Sequence, residues 1–241
     1  MAILLIIVIH WYSSLFFQTF FLHRYSAHSM FTMSKNWEKV FYIGTFLTQG
    51  SSYLSPYAYG IMHRLHHAHT DTEEDPHSPT FDPNVFSMMW RSAKVFQRIF
   101  DFKDKIKPQF TDGVPNWRIF DKFASHWITR IVWIAAYCTF YAFFATEWWM
   151  FVFLPFHFIS GPIHGAIINW FAHKYGYTNF KVDNTSKNLL PLDVLMMGES
   201  YHNNHHKDAT KANFGTRWFE LDPTYPLIII LNKLHIITLK V

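Results

Sequence analysis

The stretch His63-Arg64-Leu65-His66-His67 decides how the rest of the chain has to fold. On a helix, residues three and four apart lie on one face, so these three imidazoles would project together. The same spacing recurs in His202-Asn203-Asn204-His205-His206, and a pair five apart occurs in His23-Arg24-Tyr25-Ser26-Ala27-His28. One histidine cluster is often an ordinary surface feature, but three such groups in one chain predict a metal site.

The number of histidines indicates two metal ions. With His173, which follows a long apolar run, four segments supply nine imidazoles. Zinc takes four ligands and octahedral ions take six, so nine are too many for one ion. Two ions holding four or five nitrogens each fit the count. Five residues along an ideal helix turn a side chain by roughly 140°, so we expect His23 and His28 to lie where a helix ends.

The composition predicts a membrane protein. Half of the 241 residues are hydrophobic, 20% are aromatic and only 16% are charged, against about 25% charged residues in soluble domains. We expect an all-α integral membrane protein with a single domain over residues 1–241. The net charge of +4 arises from basic residues beside apolar runs, which favours an anionic lipid surface over nucleic acid. The single Cys138 excludes a disulfide framework and a thiolate metal site.

Three apolar runs are predicted to cross the bilayer. Residues 2–22 contain no Asp, Glu, Lys or Arg across 21 positions, and a crossing needs about 20 residues. No basic segment precedes this run, so we do not expect a cleaved signal peptide. The runs at 127–146 and 148–172 flank Glu147 and predict a helical hairpin.

The apolar stretch from Val40 to Met62 is predicted not to cross. Its centre reads Gln49-Gly50-Ser51-Ser52 and Pro56 follows, and a crossing would separate the first histidine pair from the second group. We expect an interfacial or re-entrant helix here, and another interfacial helix after Pro226. All nine histidines would then share one face in a helical cap. The basic residues between 70 and 126 place that face in the cytoplasm.

The chemistry follows from the ligands and the setting. Imidazole suits zinc, copper, iron and nickel alike, and a site at a membrane surface indicates an apolar substrate. Hydrolysis at zinc stays open, but the chain contains no His-Glu-x-x-His or Gly-x-Ser-x-Gly motif. We favour a redox metal that activates dioxygen against an aliphatic C–H bond. Four nearby carboxylates are candidates to accept the far ring N–H of ligating histidines, and each is about as often a solvated loop charge: Asp71, Asp75, Asp193 and Glu199.

The three histidine groups resemble the histidine boxes of the membrane fatty acid desaturases, in particular the acyl-CoA (stearoyl-CoA) type. The likeness covers nearly the whole chain. The surroundings are similar too, since Asp75-Pro76-His77 follows the second group and Gly198-Glu199-Ser200-Tyr201 leads the last. The resemblance implies a membrane-bound di-iron enzyme that removes two hydrogens from an acyl chain, with O2 as co-substrate and two external electrons.

The resemblance also assigns the residues that would hold the two iron ions. Asn169 matches an asparagine that reaches one iron through water, although a polar cap at the end of an apolar segment is nearly as good an interpretation. The implied iron ligands are His23, His28, His63, His66, His67, His173, His202, His205 and His206.

The chain departs from the animal-type members in three ways. Only 22 residues precede His23, where those relatives have a hairpin of two spans, which predicts three crossings and an N-terminus outside the cytoplasm. Met62 replaces their aspartate, and no CoA-contacting residues can be matched, so an acyl-CoA, acyl-lipid or acyl-carrier-protein substrate stays open. The chain has no room for a fused electron-donor domain, which implies a separate ferredoxin or b-type cytochrome.

Two other functions compete with desaturation. A membrane di-iron hydroxylase or monooxygenase would share the same boxes. A non-catalytic metal-binding or metal-transport protein is disfavoured, because transport requires more ionisable residues within the spans. Lys207, Lys211 and Arg217 are interpreted as lipid contacts rather than as a docking site for an electron donor. The other histidines are interpreted as structural: His10, His69, His77, His126, His157, His164 and His235.

Overall fold

A computed structural model describes residues 1–240, which fold into helices joined by short loops and one small sheet. The helices are α1 (Ala2–Phe17), α2 (Lys35–Gln49), α3 (Pro56–His69), α4 (Val85–Phe100), α5 (Pro108–Thr111), α6 (Arg118–Ser125), α7 (Trp127–Phe144), α8 (Leu154–Phe158), α9 (Ser160–Ala166), α10 (His202–Lys207) and α11 (Thr224–Lys233). The strands are β1 (Phe31–Met33) and β2 (Ile237–Leu239). Two 3₁₀ segments, Gly50–Ser52 and Trp148–Phe153, and two π-helical segments, Gln18–Ala27 and Ile167–Phe171, complete the elements.

The first apolar run forms a longer helix than predicted. Helix α1 continues without a break into the π-helical segment, which gives one helix over Ala2–Ala27. This helix and α7 are long and apolar enough to cross a membrane. The two helical pieces Trp148–Phe158 and Ser160–Phe171 would make a third span if they count as one. Length and composition thus support two or three spans, in keeping with a membrane protein.

The second helix of the predicted hairpin is bent rather than continuous. Its two pieces meet at an angle of 73°, and Ile159 between them has φ −134° and ψ 24°. Proline has no N–H to bond the carbonyl four residues earlier, and Pro162, in the first turn of the second piece, therefore leaves Phe158 O without a helical partner. Phe158 O instead accepts a hydrogen bond from Ser51 Oγ at 3.3 Å. The bend therefore places the break against the Gly50–Ser52 segment.

The break predicted within Val40 to Met62 is confirmed. Helix α2 ends at Gln49 and α3 starts at Pro56, and neither is long and apolar enough to count as a span. Proline fits the first turn of a helix, where its missing N–H would have no partner. Ser55 precedes it and caps α3, because its side chain accepts the Ala58 N–H.

The all-α prediction is wrong in one detail. Strand β1 pairs antiparallel with β2, so that Phe31 faces Leu239 and Met33 faces Ile237. The backbone N–H of Lys240 also donates to Met30 O. The residues that follow His28 are therefore hydrogen-bonded to the last part of the described chain, beside α11, which is short as predicted.

The end of the first helix is fixed by a fully buried arginine. Arg24 is 0% exposed, and its guanidinium donates to Asp222 Oδ2 at 2.7 Å and to Glu199 Oε1 at 3.2 Å. It also lies 3.8 Å from the ring centre of Phe214. A buried charge is tolerated only when it is paired and hydrogen-bonded. Arg24 thus joins the first helix to the segment that carries the last histidine group.

We expect Arg24→Met to lower the free energy of unfolding by about 3–5 kcal/mol, because it leaves buried carboxylates without their cation. Denaturant unfolding of the purified protein in detergent micelles would measure it. The matched control is Lys35→Met, since Lys35 is 80% exposed where it pairs with Glu38, and an exposed pair contributes about 0–1 kcal/mol. Equal losses in the two variants would contradict the role of Arg24.

Candidate metal centre

The first two histidines share one side of the helix because the helix widens. The backbone N–H of His28 bonds to His23 O at 3.2 Å, five residues earlier. This is the hydrogen-bond pattern of a π-helix, which often occurs at functional sites. Residues five apart, which diverge on an ideal α-helix, are thus brought together, and the two rings lie 5.0 Å apart between centres. His28 caps the segment, so the predicted helix end is confirmed.

The three histidines of α3 point towards two different groups of ring nitrogens. His63 and His67 lie one turn apart, and their Nε2 atoms are 3.0 Å from each other. The Nε2 atom of His66 instead lies 3.3 Å from His206 Nε2. Helix α10 divides in the same manner. His205 Nε2 lies 3.0 Å from both His23 Nε2 and His67 Nε2, whereas His202 Nε2 lies 3.0 Å from His206 Nε2.

His173 completes the arrangement from the end of the bent helix. It follows the second π-helical segment, and its Nε2 atom lies 3.0 Å from His202 Nε2. The structure therefore brings all nine predicted histidines together in two groups. Within each group, one nitrogen of every ring lies within 4.8 Å of those of the other rings. One group holds five residues and the other four: His23, His28, His63, His67 and His205, and then His66, His173, His202 and His206.

Two of the four candidate carboxylates bond directly to these histidines. Glu199 Oε2 accepts from His23 Nδ1 at 2.6 Å, and Asp75 Oδ1 accepts from His66 Nδ1 at 2.9 Å. Such carboxylates fix the ring orientation and leave Nε2 as the atom with the free lone pair. Glu199 is further held by Thr19 and Arg24.

The prediction is wrong for Asp193 and only indirectly correct for Asp71. Asp193 accepts backbone N–H groups from Met196, Gly198 and Ser200, so it shapes the turn before the last histidine group. Asp71 lies 3.9 Å from His173 Nδ1, too far for a hydrogen bond. A threonine that the sequence did not indicate takes this place, since Thr185 Oγ1 lies 3.1 Å from that nitrogen and its N–H donates to Asp71.

Burial keeps the imidazoles neutral. Burial is the main cause that lowers the pKa below the ordinary 6.5 in the eight cluster histidines that lie outside the first helix: His28, His63, His66, His67, His173, His202, His205 and His206. In all of these except His173, the like charge of neighbouring imidazoles lowers the pKa further. Burial would raise the pKa of Glu199, but the charges of His23 and Arg24 outweigh it and lower that pKa. The imidazoles outside the first helix are thus kept neutral, with an ionised Glu199 behind His23, which is the form that metal binding requires.

The nitrogens fit metal ions. Two ligands about 2.1 Å from one ion and at right angles to each other are about 3.0 Å apart, the separation of most neighbouring Nε2 atoms here. The Nε2 atoms of His23 and His66 cannot donate to their neighbours when Nδ1 donates to a carboxylate. The buried Nε2 atom of His28 has no hydrogen-bond partner in residues 1–240. Converging lone pairs of this kind are stabilised by a cation.

On the sequence alone His77 is interpreted as structural, but it lies beside the centre. His77 is 1% exposed, its ring lies 4.3 Å from that of His66, and it forms a further group with His66 and Asp75 that could hold a metal. The neighbouring Asp75, two residues before His77 in the sequence, was the feature that could have indicated this position.

His10 is not part of the centre, since its Nδ1 lies 2.6 Å from His157 Nδ1.

Asn169 lies on the second π-helical segment, beside the centre. It lines a small cavity of about 20 Å³ that also touches His23, His63 and His202, which is room for about one water molecule. A larger cavity of about 490 Å³ shares Asn169, Gln18, Tyr59 and Gly165 with it. An apolar space therefore reaches the side of the histidine cluster.

Membrane-length helices that end in a buried cluster of nine histidines define a membrane protein with a centre able to bind metal. Comparison with known families agrees: the family model described as fatty acid desaturase matches residues 1–229. The chain belongs to the fatty acid desaturase family, whose members are oxidoreductases.

Several curated proteins are similar along most of the chain. "Delta-9 desaturase-like 5 protein" of Arabidopsis thaliana is 30% identical over 232 residues, which cover 91% of this chain and 70% of that protein. "sn-1 stearoyl-lipid 9-desaturase" of Anabaena variabilis is 27% identical over 219 residues, with 90% and 75% covered. "Delta-9 acyl-lipid desaturase 1" of Arabidopsis thaliana is 27% identical over 225 residues, with 90% and 68% covered.

We expect Glu199→Gln to lower metal affinity about 10–100-fold, the usual effect of losing a carboxylate behind a ligating histidine. Metal content after dialysis against graded chelator would measure it. Glu74→Gln is the control, because the Glu74 side chain is 75% exposed where it meets His69. Equal metal retention in both variants would contradict the role assigned to Glu199.

The metal-free protein should lose stability as the pH falls below 6.5. The unfolded chain binds protons there, whereas the folded chain holds these buried imidazoles neutral. The stabilisation is complete above 6.5 and declines as the pH falls towards the lowered pKa values. Thermal unfolding with chelator should show a midpoint lower by about 5 °C or more at about pH 5.5 than at about pH 7.5. An unchanged or higher midpoint in acid would contradict it.

Proposed function

We propose that the protein is an iron-dependent membrane desaturase that introduces a double bond into the acyl chain of a membrane lipid. In the balanced reaction the chain loses two hydrogens, and O2 with two external electrons and two protons becomes two waters. Bound iron would supply the oxidising chemistry for cleaving unactivated C–H bonds. The observation that carries the proposal is the convergence of nine histidines, six of them buried and three partly buried, in two groups at the side of an apolar cavity.

In this proposal the nine histidines hold two iron ions. Glu199 orients one histidine of the group of five, and Asp75 orients one histidine of the group of four. Asn169 would reach one iron through a water in the small cavity that it lines. The single domain covers residues 1–241, with three crossings and the centre on the cytoplasmic face.

The large cavity is the proposed site of the acyl chain. Its volume of about 490 Å³ lies in the usual range for ligand sites, and side chains of α3, α4 and α9 line it. At its outer side α4 carries Phe86 and Trp90, which are 83% and 65% exposed. At its inner side Gln18 and Tyr59 also border the small cavity next to the histidines. The chain's own residues thus orient the methylenes and exclude water.

The lining favours a lipid-bound acyl chain over an acyl-CoA. Met62 lines the cavity where animal-type relatives have an aspartate. Arg130 is a cation in the lining, and its guanidinium already donates to the carbonyl oxygens of Ser51, Tyr53 and Ser125. The polyphosphate of CoA would need free cations at this opening. The names of the Anabaena variabilis sn-1 stearoyl-lipid 9-desaturase and of Arabidopsis thaliana Delta-9 acyl-lipid desaturase 1 also specify lipid-bound acyl chains.

Expression in a host without unsaturated fatty acids tests the proposal. We expect new alkenes in the glycerolipid fraction by mass spectrometry, and none with His205→Ala, because His205 belongs to the group of five. Lys105→Ala, which changes an exposed residue outside the cavities described above, should retain the alkenes. Hydroxylated acyl chains in place of alkenes would show that the protein is a hydroxylase. Two bound zinc ions with unchanged lipids would exclude both reactions.

A further inference from the structure

A third cavity also borders the histidine cluster. Its volume is about 160 Å³, and we refer to it as the lysine cavity. It is lined by Asn204, His205, Lys207, Asp208, Lys211 and Asn213, together with Phe180, Phe214 and Thr216. His205 belongs to the group of five histidines, whereas Lys207 and Lys211 are exposed. One imidazole ring therefore lies between this cavity and the proposed metal centre.

His205, like His202, lacks the acceptor that three other histidines of the centre have, and of these two only His205 lines the lysine cavity. Glu199 accepts from His23, Asp75 accepts from His66, and Thr185 lies at hydrogen-bond distance from His173. His205 Nε2 is directed at His23 and His67. Its Nδ1 atom is buried and has no hydrogen-bond partner within residues 1–240. A neutral imidazole that binds metal through Nε2 carries a proton on Nδ1, and that donor needs an acceptor.

The charges around the lysine cavity favour an anion as this acceptor. Lys207 has no ion-pair partner within 4.0 Å among the described residues, and Lys211 lies 3.3 Å from Asp208 Oδ2. Two ammonium groups and one carboxylate leave a net charge of +1 in the lining. The nearby Arg217 is exposed too. A carboxylate in this cavity would lie beside the ring of His205 and near two exposed ammonium groups.

We propose that the lysine cavity receives a carboxylate side chain of an acidic electron-donor protein, which completes the hydrogen bonding of His205 when it docks. The inference rests on the proposed function and adds where the donor binds. A donor gives one electron in each encounter, so two encounters supply the two electrons of the reaction. Opposite charges at the rim steer association, and the carboxylate on Nδ1 then raises the ligand basicity of His205.

The geometry gives the docked donor a short route to the centre. The ring centre of His205 lies 4.5 Å from that of His23 and 4.8 Å from that of His67. Phe214 lines the cavity and lies 4.6 Å from His205. A donor whose carboxylate occupies the lysine cavity would therefore contact a ring of the cluster itself.

Binding of a soluble acidic plant-type ferredoxin to the purified iron-loaded protein tests the inference. We expect Lys207→Glu/Lys211→Glu to raise the dissociation constant for ferredoxin by about tenfold or more at low salt. Asn213→Asp adds one negative charge with little change of shape, and should weaken binding several-fold because it places a carboxylate in the cavity. Lys105→Glu/Lys107→Glu is the matched control, since both of these lysines are exposed and lie away from the cavity. It should bind as the parent does.

Each result decides for or against the lysine cavity. Selective loss of ferredoxin binding in the two cavity variants supports it, and equal binding in all variants overturns it. If acetate occupies the site in the parent while ferredoxin binding ignores the cavity variants, the site takes small anions and the docking inference is wrong. Iron content and lipid products are measured on the same samples, so a protein without iron or alkenes would instead contradict the proposed function.

Discussion

The structure depends on the convergence of nine imidazoles that are largely removed from water. In each group their nitrogens lie within 4.8 Å of one another, and burial, followed by the like charge of neighbouring imidazoles, lowers the pKa of rings such as His63 and His205. The rest of the fold supplies what this cluster requires. Glu199 and Asp75 orient two of the rings, Arg24 balances the charge of Glu199, and Phe214 packs on both Arg24 and His205. Removing a neighbouring group thus changes the charge state of the cluster as well as its shape.

Wide helical turns are the local device that makes convergence possible. A π-helical segment precedes His28, and another ends two residues before His173. In each case the turn re-aims the side chains at the end of an apolar helix without breaking its backbone hydrogen bonds. Such segments often occur at functional sites. The histidines of α3 need no such device, because their spacings of three and four already suit an α-helix.

The sequence predicted the centre better than its surroundings. Repeated spacings select the nine histidines, and the break near Pro56 follows from proline chemistry. The pairing of β1 with β2 depends on residues about 200 positions apart, and three-residue strands carry no periodic signal. The partners of His173 and His10 likewise depend on tertiary contacts. Asp75 and Asp193 are equally plausible beside a histidine on paper, yet one bonds to a ring and the other to backbone N–H groups.

The small sheet has a consequence for the order of assembly during synthesis. Strand β1 follows His28 by two residues, yet its partner β2 is made about 200 residues later. The first histidines of the cluster, His23 and His28, therefore emerge long before the strand that pairs beside them, and an open strand edge is prone to incorrect pairing. Nascent chains reach the folded arrangement around these two histidines only after Leu239 has left the ribosome, late in translation or after it.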